Sequence, residues 1–562
     1  MGSGETVRDR LWIALGTLAC LLPFLDKALH IDDPLFAWTA RQILAHPFDF
    51  FGFTLNWYGF VQPMYDVTKN PPLAAYWLAG VGGLFGFGEP ALHAGFLVPA
   101  VAASLGIHSL AKRLCADPLL ATAVAVCAPA FWVSSTLLGA DTLMLAFWVW
   151  SLRLWIRGLD SGRAGPLATA ALLAAAATLT KYFAAGLLPL FVVYTIARER
   201  RVSASLAWLA LPLAILAAYQ LGTAHLYGRG LLLDAGAYAV GFREEARAHL
   251  AQDLFVGVAF TGGSLVSTLC FAPLLWSRRG LLTGAAATLV AGAFAASQGE
   301  IGRLVLRDPA GGAQLWPVAQ LALFAVAGLQ VAALGARDLL RRRDADALLL
   351  VLCLGGTLAF ALVLNWTVNA RSLIALAPIA GILVARGLER PETRSAIAPA
   401  RTATRWVALA PGLALGFAVA LADHRLANSA REAAAVLAAR HGTGDTPWFL
   451  GHWGWQWYLQ EAGARPVLLD TGTLPAGSIL LVPENGSGIP EVPWSAVTVV
   501  EELSLPIDGW ISTMSVHTRA GLHASVHGPL PFALGRVPPE RYRAVRVDRA
   551  LRGAGGRLVP LP

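Results

Sequence analysis

Charge is what this chain has least of. Only 14% of its 562 residues are Asp, Glu, Lys or Arg, against about 25% in a soluble globular domain. That scarcity excludes a wholly soluble protein. Cysteine is also rare: Cys20, Cys115, Cys127, Cys270 and Cys353 all lie in apolar segments. Residues 422–562 therefore hold no disulfide, whatever compartment they occupy. No cluster of His and Cys has zinc-ligand spacing, and the tail contains neither a GxGxxG nor a Walker pattern. The chain has no internal repeat, whereas many transporters are built from paired halves.

What is present is apolar sequence in runs of about 20 residues, enough to cross a hydrocarbon core of about 30 Å. The formal charge of +8 collects in short loops between these runs. Lys112-Arg113, Arg198 with Arg200 and Arg201, Arg278-Arg279, Arg341–Arg343, and Arg386 with Arg390 and Arg394 are examples. This is the pattern of cytoplasmic loops, so no nucleic-acid partner is needed to explain it. Arg8 and Arg10 precede the first apolar span, Leu11–Leu29, which reads as a signal anchor with a cytoplasmic N-terminus. Counting signs along the chain gives about thirteen transmembrane helices and places the tail on the outer side. The count closes only if Leu73–Phe87 is a re-entrant or surface-lying helix. The expected architecture is a polytopic α-helical membrane domain over residues 1–421, with a large outer loop, 30–90, followed by a C-terminal α/β domain over 422–562. In that tail Asn428–His441 and Trp455–Ala462 read as helices. Trp448–Leu450, Val467–Asp470, Ile479–Val482 and Val497–Val500 read as strands.

Ionisable residues at the edges of spans are costly and usually have a reason. On the expected outer side they are few: Asp32, Asp33, Lys69, Asp141, Lys181 and Arg371. A carboxylate there can take a proton from an acceptor hydroxyl or amine, while Lys and Arg can hold a phosphate as it leaves. Each residue also has a plainer reading. Asp32-Asp33 before Pro34 can be a helix start, and Asp141 a cap for the apolar run after it. Lys69 can snorkel to the interface, and Lys181 and Arg371 can simply end spans. The joint pattern outweighs any one of these. The aromatic loop Gly451-His452-Trp453-Gly454-Trp455 is distinctive, and such loops at membrane surfaces are often packing elements.

Several phrases occur in an ordered set: Asp32-Asp33-Pro34, His46-Pro47-Phe48-Asp49, Asn70-Pro71-Pro72-Leu73 with Tyr76, and Leu84-Phe85-Gly86 with Gly88-Glu89. Asp141 and Thr180-Lys181-Tyr182 follow. The set resembles the GT-C glycosyltransferases of the protein O-mannosyltransferase/aminoarabinose transferase type, glycosyltransferase family 39 and its bacterial relatives. The resemblance covers roughly residues 10–200. It implies a GT-C fold and inverting sugar transfer from a polyprenyl-phosphate carrier. It makes Asp32 the catalytic base or acceptor binder and Asp141 a second acid. A basic residue before Pro-Pro contacts the donor phosphate in this family. Here Lys69 stands one place earlier, and Asn70 takes the position beside Pro71.

The resulting expectation is an integral membrane glycosyltransferase working on the outer face of a bacterial inner membrane, with the C-terminal domain periplasmic. Asp32, Asp33 and Asp141 are the catalytic candidates. Lys69, Asn70, Lys181 and Arg371 are the donor-phosphate candidates, and Tyr65, Tyr76, Tyr182 and His452 are acceptor or loop candidates. The partners are a polyprenyl-phosphate-linked sugar, a lipid, glycan or protein acceptor, and the bilayer. No cofactor is required, although Asp32 and Asp33 offer a weak site for Mg²⁺ or Mn²⁺. Two other classes stay open: a transporter or flippase of lipid-linked sugars, and a non-enzymatic membrane scaffold.

Overall fold

A computed structural model describes residues 3–241, 250–389, 402–442 and 446–561; Arg390 and Arg394 lie outside them. Among the described residues seven helices are long and apolar enough to cross a membrane, or up to nine if each of two bent pairs is one span. The apolar helices are less uniform in length and straightness than thirteen regular crossings would be. The apolar stretch 118–138 folds as Pro118–Val126 followed by Pro129–Ser135 with a 63° bend between them. Pro129 has no N–H to carry the helical ladder through. Others are short: Ala164–Thr180 has 17 residues, and Leu376–Leu388 has 13 and is almost wholly buried.

The segment after the first helix positions the site. Ser3–Leu21 runs into a single turn, Leu22–Phe24, held by Pro23. The chain reverses through Ile31, whose φ is +49°, and restarts as Asp33–Ala45 with Pro34 in the first turn. Proline suits that position because its fixed φ is helical and its missing N–H would be unpaired there anyway. A small antiparallel hairpin follows, Thr54–Asn56 against Val61–Pro63. Then comes Leu73–Phe85, started by Pro71-Pro72 and closed at Gly86 with φ +86°. At 1.5 Å per residue this helix is about 20 Å long, short of a bilayer core.

Helix Thr402–His441 is 40 residues long, or about 60 Å. The boundary expected at 421/422 falls inside it, so the tail continues the last apolar helix without a linker. The tail's main sheet has five strands in the order Arg465–Pro466, Trp448–Phe449, Ile479–Pro483, Glu540–Val547, Val497–Leu505. The first three are parallel and the rest antiparallel. Helix Trp453–Glu461 crosses between the two short parallel strands. A second sheet joins Thr473–Leu474, Leu551–Ala554 and Arg557–Pro560.

The strand expected at Val467–Asp470 is a correction: the strand is Arg465–Pro466, and 467–472 is irregular. Its backbone groups go elsewhere. Leu469 N donates to Gly59 O at 2.6 Å, and Val467 O accepts from Asn56 Nδ2 at 2.9 Å. Docking on the hairpin of the 30–90 loop has replaced sheet pairing. Gln456 Nε2 to Asn56 O at 2.7 Å and Leu29 N to Tyr458 Oη at 2.8 Å extend the same seam.

Candidate active site

A cavity of about 900 Å³ opens between the helix bundle and the tail. Asp32, Lys69, Asn70, Asp141, Lys181, Tyr182 and Arg371 line it together. They come from the first loop, the helix starting at Ala140, the break after Thr180 and the turn Arg371–Leu373. Much of the rest of the wall is apolar, including Trp148, Phe183, Leu190, Val193, Leu352 and Phe360. The tail supplies Trp453, Met514, His523 and His527. Trp453 has φ +63°, uncommon for a bulky residue, and packs edge-on to His527 with ring centroids 5.4 Å apart.

Each cation among the expected residues already has an acid. Arg371 Nη2 donates to Asp32 Oδ2 at 2.8 Å. Lys69 Nζ donates to Asp234 Oδ2 at 2.7 Å and to Tyr65 O at 3.3 Å, and lies 5.5 Å from the Tyr238 ring centroid. Lys181 Nζ donates to Asp141 Oδ1. Asn70 faces the cavity, its own N–H held by Thr68 Oγ1 at 3.2 Å. Tyr182 Oη pairs with Tyr219 Oη at 2.8 Å.

The adjacent acids have separated roles. Asp32 side-chain atoms remain 29% exposed. Asp33 is buried, and its two oxygens accept the backbone N–H groups of His30 at 3.0 Å and Leu138 at 2.9 Å. It ties the chain reversal to the Leu137–Gly139 turn and so aims Asp32. Burial pushes the Asp33 carboxyl up to about 7, against the pull of those two N–H groups.

Three more expected residues stand outside the cavity. Tyr65 packs on Tyr227 with centroids 5.0 Å apart, and Arg229 lies over its ring. Tyr76 Oη donates to Pro47 O. His452 stacks on Trp57, with Nδ1 2.8 Å from Gln456 Oε1. Burial pushes His452 down to about 4. All three brace the loop.

Sequence reasoning passed over a buried cluster behind the site. Lys27 Nζ donates to Asp423 Oδ2 at 2.7 Å and to Thr136 Oγ1 at 3.2 Å, and both members of the ion pair are fully buried. His523 Nε2 donates to Asp423 Oδ1 at 2.9 Å, and His30 Nε2 lies 3.7 Å from the same oxygen. His30, Asp423 and His523 are the one group of three such ligands brought together among the described residues. Lys27 already neutralises that carboxylate. Lys27 and Asp423 sit at the ends of apolar runs, which was the available signal; His523 gave none. Asp234, the partner of Lys69, was also missed.

Residues 69–220 match the family model described as dolichyl-phosphate-mannose-protein mannosyltransferase. Lys69, Asn70, Asp141, Lys181 and Tyr182 fall inside the matched segment; Asp32 and Arg371 lie outside it and join by folding. No curated protein matches the chain by sequence. Among solved structures, ArnT from Cupriavidus metallidurans bound to undecaprenyl phosphate is 13% identical over 86% of this chain and 94% of its own, with a TM-score of 0.40. The oligosaccharyltransferase AglB from Archaeoglobus fulgidus is 13% identical over 82% and 64%, at 0.44. The arabinofuranosyltransferase AftD from Mycobacteria is 15% identical over 96% and 40%, at 0.40.

Proposed function

We propose that this membrane glycosyltransferase moves a sugar from a polyprenyl-phosphate donor to an acceptor hydroxyl or amine on the outer face of a bacterial cytoplasmic membrane, with inversion. One observation carries the reading. Two acids and three cations from separate segments meet in one cavity whose wall is otherwise largely apolar. The apolar wall suits a prenyl chain, and the cations suit its phosphate. Asp32 takes the acceptor proton. The acceptor atom then bonds to the anomeric carbon as the bond from that carbon to the phosphate oxygen breaks, and the electron pair leaves with the phosphate. Asp141, held by Lys181, orients the acceptor.

The test uses the full chain in proteoliposomes with hexosyl esters of undecaprenyl phosphate and a cell-envelope extract as acceptor. Release of undecaprenyl phosphate, with the sugar recovered on an acceptor in inverted configuration, is expected. Movement of intact ester across the bilayer without cleavage would instead establish transport and overturn this reading.

A further inference from the structure

Each of the three cavity cations has an acid partner: Arg371 has Asp32, Lys181 has Asp141, and Lys69 has Asp234, which stands outside the cavity lining and also meets Arg229. A phosphate that enters meets these three cations already paired with carboxylates. The three pairs differ in how readily they can exchange. The Asp141 side chain is 5% exposed, whereas Asp32 is 29% exposed, the most open acid of the three. Arg371 is also the one planar, forked cation, the shape that takes two phosphate oxygens at once, while the lysines act as point charges. Its bond to Asp32 uses a single nitrogen, Nη2.

We propose that the donor's phosphate takes Arg371 away from Asp32, so that binding of the donor arms the base and the acceptor proton can be removed only afterwards. The inference rests on the donor reading above and adds an order to it. In the paired state Asp32 Oδ2 accepts a charge-assisted hydrogen bond from Arg371, so that oxygen is engaged rather than turned to an acceptor O–H or N–H. After the exchange Arg371 binds the phosphate, and the released carboxylate stands beside an anion that favours its protonation. The acceptor proton goes to Asp32, and the acceptor atom bonds to the anomeric carbon. The bond to the phosphate oxygen breaks, and the leaving phosphate gains one negative charge against Arg371. Once the lipid phosphate departs, Asp32 loses the proton to water and pairs with Arg371 again. Asp33 cannot substitute, because both its oxygens hold backbone N–H groups.

The experiment labels carboxyl groups of the full chain in nanodiscs with dicyclohexylcarbodiimide, which reacts with protonated carboxyls in apolar surroundings. Peptide mass spectrometry reads Asp32, with and without undecaprenyl phosphate; undecaprenol, which lacks the phosphate, is the control. A ligand normally shields its site. Here undecaprenyl phosphate should raise Asp32 labelling several-fold, and undecaprenol should not. Arg371→Gln should label strongly without lipid and respond little to it. If that variant does not fold, the contrast between the two lipids on the unmutated chain decides alone. Unchanged or reduced Asp32 labelling, with undecaprenyl phosphate demonstrably retained by the chain, overturns the exchange and leaves the donor reading standing. Failure of the chain to retain undecaprenyl phosphate overturns both.

Discussion

Replacing each of the two adjacent acids by its amide should have opposite consequences. Asp32→Asn keeps an oxygen for Arg371 and removes the charge. Arg371 is only 15% exposed, but it keeps an acceptor and the nearby Asp141 charge, so the stability cost is about 1 kcal/mol. Loss of a general base costs about 10²- to 10⁴-fold in rate, or about 3–5 kcal/mol of barrier. Asp33→Asn leaves the cavity wall untouched and turns one acceptor into an NH₂ group. That group must face the backbone N–H of either His30 or Leu138, both now bonded to Asp33. Leaving one buried backbone N–H unsatisfied costs about 1–3 kcal/mol, before any donor–donor clash. The assay is thermal unfolding in nanodiscs beside turnover of an undecaprenyl-phosphate hexose ester. Asp32→Asn should unfold near the unmutated temperature with turnover lost. Asp33→Asn should unfold earlier and retain turnover at temperatures where it is folded. The reverse pattern, an inactive but fully stable Asp33→Asn with an active Asp32→Asn, would refute the assignment of roles.

Three further outcomes follow from the packing. Lys27→Met strips the partner from fully buried Asp423 and should cost about 3–5 kcal/mol, while Lys27→Met with Asp423→Asn should recover most of it; strictly additive losses in unfolding measurements would contradict a coupled pair. His452 is held neutral by burial at about 4 against 6.5 unfolded. A depressed folded value means that its stabilisation is full above about pH 6.5 and is lost as pH falls toward 4, about 3 kcal/mol in all. His30, pushed down to about 3, adds the same sign, so His452→Gln should flatten only part of the acid limb of a stability-versus-pH curve. At Gly454 an added Cβ would lie 1.8 Å from Leu29 O. Gly454→Ala should therefore unseat helix Trp453–Glu461 from the first loop, visible as faster proteolysis of the tail; unchanged cleavage would show that the seam yields freely.

Much of this chain was legible from residue types alone. Low charge and apolar runs determined a membrane-spanning helical bundle, because a bilayer penalises an unpaired polar group whatever the fold. Proline at Pro34 and at Pro71-Pro72 marked helix starts because its ring fixes φ. The cost of ions at span edges singled out Asp32, Lys69, Asp141, Lys181 and Arg371, which do share a cavity. Tertiary structure decided the rest. Asp32 and Asp33 are chemically identical neighbours, and only the approach of Leu138, over 100 residues away, makes one a brace and leaves the other open. Val467–Asp470 had a strand's composition but spends its backbone groups on the hairpin of the first loop. Lys27, Asp423 and His523 form one buried cluster across almost 500 residues of chain, and local periodicity carries no information about such a meeting. Residue chemistry set which groups could form the site; long-range packing set which of them face it.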